Sequence, residues 1–174
     1  MNAIAARFEI LDARITDWMA RHGLRLLRIS LGIVFLWFGA LKFFLGMSPA
    51  SDLAARTISV LSFGMVPASV SVPLLAGWEC LIGLGLLSGI FMRFTLLLLA
   101  AQMAGTLTPL VLFPQEVFSH VPYAPTLEGQ YIIKNAVLIS AAIVLGATVR
   151  GGGLVAQPEP DSNAGRVTRE VREP

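Results

Sequence analysis

The stretch that decides the fold is Leu36-Trp37-Phe38-Gly39-Ala40-Leu41-Lys42-Phe43-Phe44. It lies in a long apolar segment that is interrupted by one lysine, Lys42. A charge on a membrane-spanning helix costs roughly 2.5–3.5 kcal/mol at mid-depth on insertion scales, and less towards the helix ends. Lys42 therefore requires a charged partner, a ligand, or a route by which its ammonium group reaches the lipid headgroups.

The composition of the 174-residue chain is typical of a polytopic membrane protein. Apolar residues make up 55% and charged residues 14% of the chain, and the mean hydropathy of +0.73 is too high for an ordinary soluble domain. The single cysteine, Cys80, excludes a C-x-x-C redox pair and an intramolecular disulfide. Any redox chemistry therefore requires a cofactor or a partner to carry the electrons. The arginines are typical of topology signals, so no nucleic-acid partner is expected.

Residues 1–24 are predicted to form an amphipathic surface helix. Apolar residues recur three or four positions apart, for example at Ile4, Phe8 and Leu11, and charged residues lie between them. The mixture of acidic and basic residues does not fit a cleavable signal peptide. The helix is expected to lie along the membrane surface and to end at Gly23. A soluble helix that docks on a partner is the alternative.

Four predicted membrane-spanning helices follow, which indicates an all-α fold. Each apolar segment is close to the ~20 residues that a ~30 Å hydrocarbon core requires. Arg93 alone separates the second helix from the third, so these two are expected to form a tight hairpin in an antiparallel four-helix bundle. The tail, residues 151–174, consists mainly of Gly, Pro and charged residues and is expected to be disordered and cytoplasmic. The transmembrane domain is predicted to cover residues 25–150, with spans at about 26–47, 72–92, 94–113 and 130–148.

The arginines predict how the bundle is oriented. They lie before the first span, in the second connection and after the fourth span, whereas the other two connections contain only Arg56. By the positive-inside rule, both termini are predicted to be cytoplasmic in the inner membrane of a bacterium, with residues 48–71 and 114–129 outside. Residues 49–63 are expected to form a short surface helix. The proline-rich 114–129 connection is expected to be a fixed irregular lid rather than a helix.

Three ionisable residues from three predicted spans fall at one depth in the membrane. Lys42 follows Gly39 by three positions on a glycine-rich helix face, so its side chain is expected to point into the bundle. At ~1.5 Å per residue, Lys42, Glu79 and Lys134 lie roughly 6–10 Å below the outer membrane boundary. Lys134 is followed by Asn135, and these four residues are predicted to form one polar layer.

Two interpretations of this layer are open. In the first, a Lys–Glu–Lys staple holds three helices together, or the lysines extend to the nearby surface. In the second, two lysines and one carboxylate leave an excess positive charge, which favours binding of a small anion, an enolate or a quinone carbonyl. Gly39, Gln102, Gln130 and Pro109 are expected to support the layer through close packing or hydrogen bonds.

No residue spacing in the chain predicts a metal site. His120 has two glutamates near it in sequence, but their spacing does not resemble a zinc motif. The small-residue steps Gly85-x-x-x-Gly89 and Ala101-x-x-x-Gly105 offer additional close-packing surfaces. A homodimer or a larger membrane complex is therefore a candidate assembly, in addition to the lipid bilayer itself.

Short motifs in residues 25–150 form a set that points to a known family. They are Arg28-Ile29-Ser30-Leu31-Gly32, Phe38-Gly39-Ala40-Leu41-Lys42-Phe43, Glu79, Gly83-Leu84-Gly85-Leu86-Leu87, Arg93, Pro109 and Glu128-Gly129-Gln130-Tyr131-Ile132-Ile133-Lys134-Asn135. With these motifs the chain resembles the DoxX-like family of small four-helix membrane proteins. Lys42, Glu79 and Lys134-Asn135 are the more specific marks of the resemblance.

The resemblance implies a role in a membrane redox or oxidative-stress system. Members of the family include a membrane subunit of a thiosulfate–quinone oxidoreductase and a partner of enzymes that defend against oxidative and thiol stress. An accessory or quinone-associated subunit is therefore the leading hypothesis, in which Lys42 and Lys134 hold a carbonyl or anionic oxygen and Glu79 transfers a proton. A quinone is the candidate cofactor, and none is expected to be covalently bound. The rivals are a transporter and a non-enzymatic protein that binds or carries a lipophilic ligand or scaffolds partners.

Overall fold

The structure is a computed structural model that describes residues 3–44, 46–48 and 51–156 of the chain. The chain divides into two compact units, one of residues 25–152 and one that combines residues 1–24 with residues 153–174. The helical bundle is formed by the unit of residues 25–152. Most of the tail that is predicted to be disordered lies outside the described residues.

The first helix, α1 (Ala3–Leu41), is continuous. The prediction that the N-terminal helix ends at Gly23 is therefore wrong. A glycine inside a helix costs only about 1 kcal/mol relative to alanine, which is too little to end a helix whose sequence favours helix on both sides. In the N-terminal part of α1 the apolar side chains of Phe8, Leu11 and Trp18 are exposed, and they form the stripe on which the surface-helix prediction depends.

The later elements are long helices joined by short helices and by one pair of short strands. They are α2 (Ser51–Leu61), α3 (Ala68–Ser88), α4 (Met92–Leu107), α5 (Pro109–Leu112), α6 (Pro114–Val117), β1 (Phe118–His120), β2 (Ala124–Pro125), α7 (Leu127–Ile133) and α8 (Asn135–Thr148). The described residues contain four segments that are long and apolar enough to cross a membrane, namely Arg7–Leu41, Ala68–Ser88, Met92–Leu112 and Leu127–Thr148. The predicted all-α polytopic fold is confirmed.

The two connections that carry α2, α6, β1 and β2 form what we call the loop-rich end of the bundle. The helix predicted over residues 49–63 is present as α2, with residues 49 and 50 outside the described part. In the other connection α6 begins at Pro114. Proline is favoured at the first position of a helix because the nitrogen there donates no helical hydrogen bond. β1 then pairs antiparallel with β2. The 114–129 connection is thus more regular than the irregular lid that its prolines predict.

A hydrophobic core holds α1, α3, α4 and α8 together. Ile82, Leu86 and Leu99 are fully buried in it, and its other buried members are Leu31, Phe35, Met103, Ala141 and Leu145. A smaller cluster joins α2, α6 and α7 at the loop-rich end through Leu53, Val117 and Ile132. The larger cluster positions the long helices, and the smaller one orients α7.

Glycines allow α1 and α3 to approach each other closely. A Cβ added at Gly83 would lie 2.5 Å from the backbone nitrogen of Leu36, and one at Gly39 would lie 2.9 Å from the backbone nitrogen of Cys80. Both contacts follow one antiparallel register. In this register α1 ends opposite the middle of α3, and α2 packs against α3 as well.

The predicted step Gly85-x-x-x-Gly89 is occupied within the chain. A Cβ at Gly85 would overlap Thr95 of α4, and one at Gly89 would overlap the guanidinium of Arg28. A Cβ at Gly105 would meet nothing within 4 Å among the described residues. Of the two small-residue motifs expected to allow close packing, only Ala101-x-x-x-Gly105 has a glycine with no close neighbour among the described residues.

Candidate functional site

A polar triad of Lys42, Glu79 and Gln102 links α1, α3 and α4. Lys42 Nζ lies 2.5 Å from Glu79 Oε2, and the side chains of both residues are only 10% exposed. Gln102 Nε2 donates a hydrogen bond of 2.9 Å to Glu79 Oε1. Each carboxylate oxygen of Glu79 thus accepts a hydrogen bond from a different neighbouring segment.

The triad forms where glycine brings α1 against α3. The backbone amide of Lys42 donates to the carbonyl of Gly39, so the chain makes one further turn just after α1 ends. Gly39 packs against the Cβ of Glu79, since an added Cβ there would lie 2.9 Å from it. The Lys42 ammonium consequently reaches the carboxylate, and it also lies 3.3 Å from the carbonyl oxygen of Phe38. The side chain of Lys42 therefore points into the bundle, as its position three residues after Gly39 predicted.

The third member of the triad comes from a buried face of α4. Thr95 and Gln102 are both buried, as is Pro109 at the start of α5, and the three residues lie seven positions apart. No hydrogen bond among the described residues joins Pro109 to the triad, and Pro109 separates α4 from α5 because it lacks a backbone N–H.

The triad is electrically neutral. One ammonium group, one carboxylate and one amide satisfy each other, and the ion pair is closed. The excess positive charge expected for the polar layer is therefore not present within the triad. A neutral, hydrogen-bonded triad in a membrane bundle joins helices without leaving a buried charge unpaired.

Lys134 lies apart from the triad. It is exposed on the bundle surface, its Nζ lies 3.7 Å from the centre of the Tyr131 ring, and no ion pair joins it to Glu79 among the described residues. The reason is rotational. Ile132 is buried in the small cluster, and a residue two positions later points about 200° around the helix at 3.6 residues per turn.

The neighbours of Lys134 that the sequence placed in the layer are also peripheral. Gln130 is exposed, and Asn135 is half-buried at the first position of α8. Gly129 by contrast is buried, and it packs so closely that an added Cβ would overlap the carbonyl oxygen of Val117. The structure thus brings together Lys42, Glu79 and Gln102, and it separates Lys134 and its neighbours from them.

The profile of the DoxX family matches residues 23–114, which is more than half of the chain. The chain belongs to the DoxX family. The matched region includes all three members of the triad and ends before Gln130, Lys134 and Asn135. No curated protein and no solved structure matched the DoxX chain.

A second polar contact, which sequence reasoning missed, ties the two connections of the loop-rich end. Arg56 of α2 donates two hydrogen bonds to Glu116 of α6, at 2.6 and 2.5 Å, and its guanidinium lies 5.6 Å from the centre of the Phe113 ring. The hydrogen bonds to Glu116 raise the pKa of Arg56 above its usual value. The available signal was that Arg56 is the one arginine of the two predicted outer connections.

The glutamates near His120 do not form a metal site with it in the described residues. No group of three metal-ligating side chains is present in this part of the chain. Both carboxylate oxygens of Glu116 bind Arg56, and the His120 ring stacks on that of Tyr123 with the centroids 6.1 Å apart. The stack of His120 on Tyr123 packs the turn between β1 and β2.

The two lysines of the DoxX bundle are expected to differ strongly when each is replaced by methionine. Lys42→Met leaves Glu79 without its cation, and breaking a buried pair typically costs about 3–5 kcal/mol. Lys134→Met removes an exposed cation–π contact of about 0.5–1 kcal/mol. Denaturant unfolding of the purified protein in mild detergent measures both. Equal destabilisation by the two changes, whether large or small, would contradict the assignment of Lys42 to the triad and of Lys134 to the surface.

Proposed function

We propose that this DoxX protein is a non-catalytic accessory subunit of a membrane redox or oxidative-stress system, in which it scaffolds partner proteins. The observation that supports the scaffold role is the closed, neutral triad of Lys42, Glu79 and Gln102. A side chain that binds substrate or transfers a proton must be able to form a hydrogen bond to the substrate. Both carboxylate oxygens of Glu79 already accept hydrogen bonds from Lys42 and Gln102. Membership of the DoxX family supports the redox setting of this proposal.

A quinone-binding role is the second candidate, and one observation favours it. The Lys42–Glu79 pair keeps a small exposed fraction, and the aromatic rings of Phe38, Phe43 and Phe44, all within four residues of Lys42, are exposed. A quinone headgroup that entered between these rings would replace the Glu79 oxygen as the hydrogen-bond acceptor of Lys42. In that case Glu79 would be the group that gives or takes the proton.

A double variant, Lys42→Met with Glu79→Leu, separates the two candidates. Replacing both members of a buried pair by apolar residues is often neutral or stabilising, so the bundle is expected to fold. The tagged protein is purified from its native membrane, and quinone-linked activity is measured in the complex that migrates with it. A scaffold predicts that the double variant retains the same complex and activity within about twofold.

The quinone-binding role predicts a different result for the same variant. Binding of a short-chain quinone to the purified protein, followed by quenching of tryptophan fluorescence, would then weaken at least about tenfold, which corresponds to 1.4 kcal/mol. Equal binding by both proteins, or none by either, would reject the quinone site. A wild-type chain that migrates alone, with no associated activity, would reject the scaffold role.

A further inference from the structure

The end of the bundle opposite the loop-rich end is formed by the turn between α3 and α4, and Arg28 of α1 packs against it. The guanidinium lies against Gly89, where an added Cβ would be 2.9 Å from Arg28 Cζ and would overlap Nη1. Gly89 has a φ of +72° and ends α3, with its N–H bonded to the carbonyl of Gly85. The left-handed glycine thus makes both the turn and the space that Arg28 occupies.

Arg28 has an unsatisfied donor in this position. Its Nε is buried and has no hydrogen-bond partner among the described residues. A guanidinium carries five N–H donors in a planar fork, and a buried charged donor without an acceptor is unfavourable. The natural complement of this fork is a carboxylate or a phosphate, which accepts two parallel hydrogen bonds.

The unit of residues 25–152 provides no carboxylate for Arg28. Its four acidic residues lie on α2, on α6, at the start of α7 and in the triad, where Glu79 is engaged, whereas the turn end carries arginine alone. Those acidic residues are Asp52, Glu79, Glu116 and Glu128, and the arginines of the turn end are Arg25, Arg28, Arg93 and Arg150. An anion bound by Arg28 would therefore come from outside this unit.

The surroundings of Arg28 favour an anion that carries apolar chains. Ile90 and Phe91 follow Gly89 directly, and Phe94 lies in the first turn of α4. All three side chains are strongly exposed, and that of Phe91 is 82% exposed. Phe91 also has a positive φ of 52°, an uncommon backbone conformation for a bulky residue, and it holds this ring outside the packed bundle. A free phosphate gains nothing from exposed aromatic and aliphatic side chains, whereas the acyl chains of a lipid bury them.

We propose that Arg28 binds the phosphate of an anionic phospholipid, whose acyl chains lie beside Phe91 and Phe94. The guanidinium of Arg28 supplies the phosphate contact. The site is independent of the triad and of the redox role proposed above. It assigns a ligand to a motif residue, Arg28, that the proposed function leaves without a role.

The full chain, reconstituted in phosphatidylcholine vesicles that contain a photoreactive phosphatidylglycerol, tests this site. Crosslinks to the peptide that contains Phe91 and Phe94 are quantified for the wild type, for Arg28→Gln and for the control Arg150→Gln. The control removes the same charge from the same end of the bundle. Arg28→Gln is expected to lower the crosslink yield about fivefold or more, and Arg150→Gln less than about twofold.

Three outcomes would overturn the proposal. Equal losses in the two variants would indicate general attraction between charges rather than a site. An unchanged yield in Arg28→Gln would exclude Arg28 as the binding residue. Competition by inorganic phosphate, beyond that of chloride at the same ionic strength, would identify the ligand as a soluble phosphate.

A second measurement covers the case in which Arg28→Gln does not fold. Arg28→Lys keeps the charge but lacks the planar fork. Phosphatidylglycerol is expected to raise the thermal unfolding temperature of the wild type relative to pure phosphatidylcholine, and to raise that of Arg28→Lys clearly less. An equal rise in both proteins would also overturn the proposal.

Discussion

Replacing Glu79 by leucine is expected to abolish folding or to destabilise the bundle severely. The substitution leaves Lys42 as an unpaired cation among packed helices and removes the acceptor of Gln102. Loss of one partner from a buried pair typically costs about 3–5 kcal/mol, a large part of the 5–15 kcal/mol that usually separates folded from unfolded protein. The yield of monodisperse protein and the denaturant midpoint in detergent measure the effect.

Two further variants show whether the charge imbalance is the cause. Addition of Lys42→Met to Glu79→Leu is expected to restore most of the lost stability, because no charge then remains unpaired. Glu128→Gln removes an exposed carboxylate of α7 and is expected to change the midpoint very little. If Glu79→Leu behaves like Glu128→Gln, then Lys42 has another partner and the triad does not join the helices.

The second large effect is expected for Gly83→Ala, which adds a single methyl group. The new Cβ would lie 2.5 Å from the nitrogen and 2.8 Å from the Cα of Leu36, and backbone atoms cannot turn away as a side chain does. The helices α1 and α3 must separate, so a destabilisation of about 1–3 kcal/mol or more is expected. The same unfolding measurement in detergent records it.

Gly77→Ala is the matched control, since Gly77 lies on the same helix. A Cβ at Gly77 would meet nothing within 4 Å. Alanine is a better helix former than glycine by about 1 kcal/mol, so this variant is expected to be neutral or more stable. Effects of the same sign and size at the two positions would contradict the close contact between α1 and α3.

Sequence reasoning found the family, the long helices and the central pair, because each depends on local patterns. Segment length and hydropathy predict the helices, and the spacing between Gly39 and Lys42 predicts the side-chain direction. Glu79 then follows as the one carboxylate at a similar depth. Gln102 was expected to support the layer, and its spacing of seven residues from Thr95 and Pro109 is consistent with one inward face of α4.

The remaining parts of the site depend on rotation and on distant contacts. Depth arithmetic placed Lys134 level with Glu79 but did not fix its angle around the helix, which the burial of Ile132 decides. The pair Arg56–Glu116 joins residues 60 positions apart, and no local pattern specifies such a contact. The unbroken α1 shows the converse case, in which a local stop signal at Gly23 is weaker than the helix that surrounds it.

The close contact between α1 and α3 restricts how these two helices can move. Backbone-to-backbone packing at Gly39 and Gly83 opposes sliding, because a shift by one residue would place a side chain where only a hydrogen atom fits. Separation of the helices is the motion that remains. Cys80 is half-buried at this contact, with its Sγ 3.8 Å from the carbonyl oxygen of Leu36, and that motion would expose it further. A thiol reagent is therefore expected to modify Cys80 faster under conditions that separate α1 from α3.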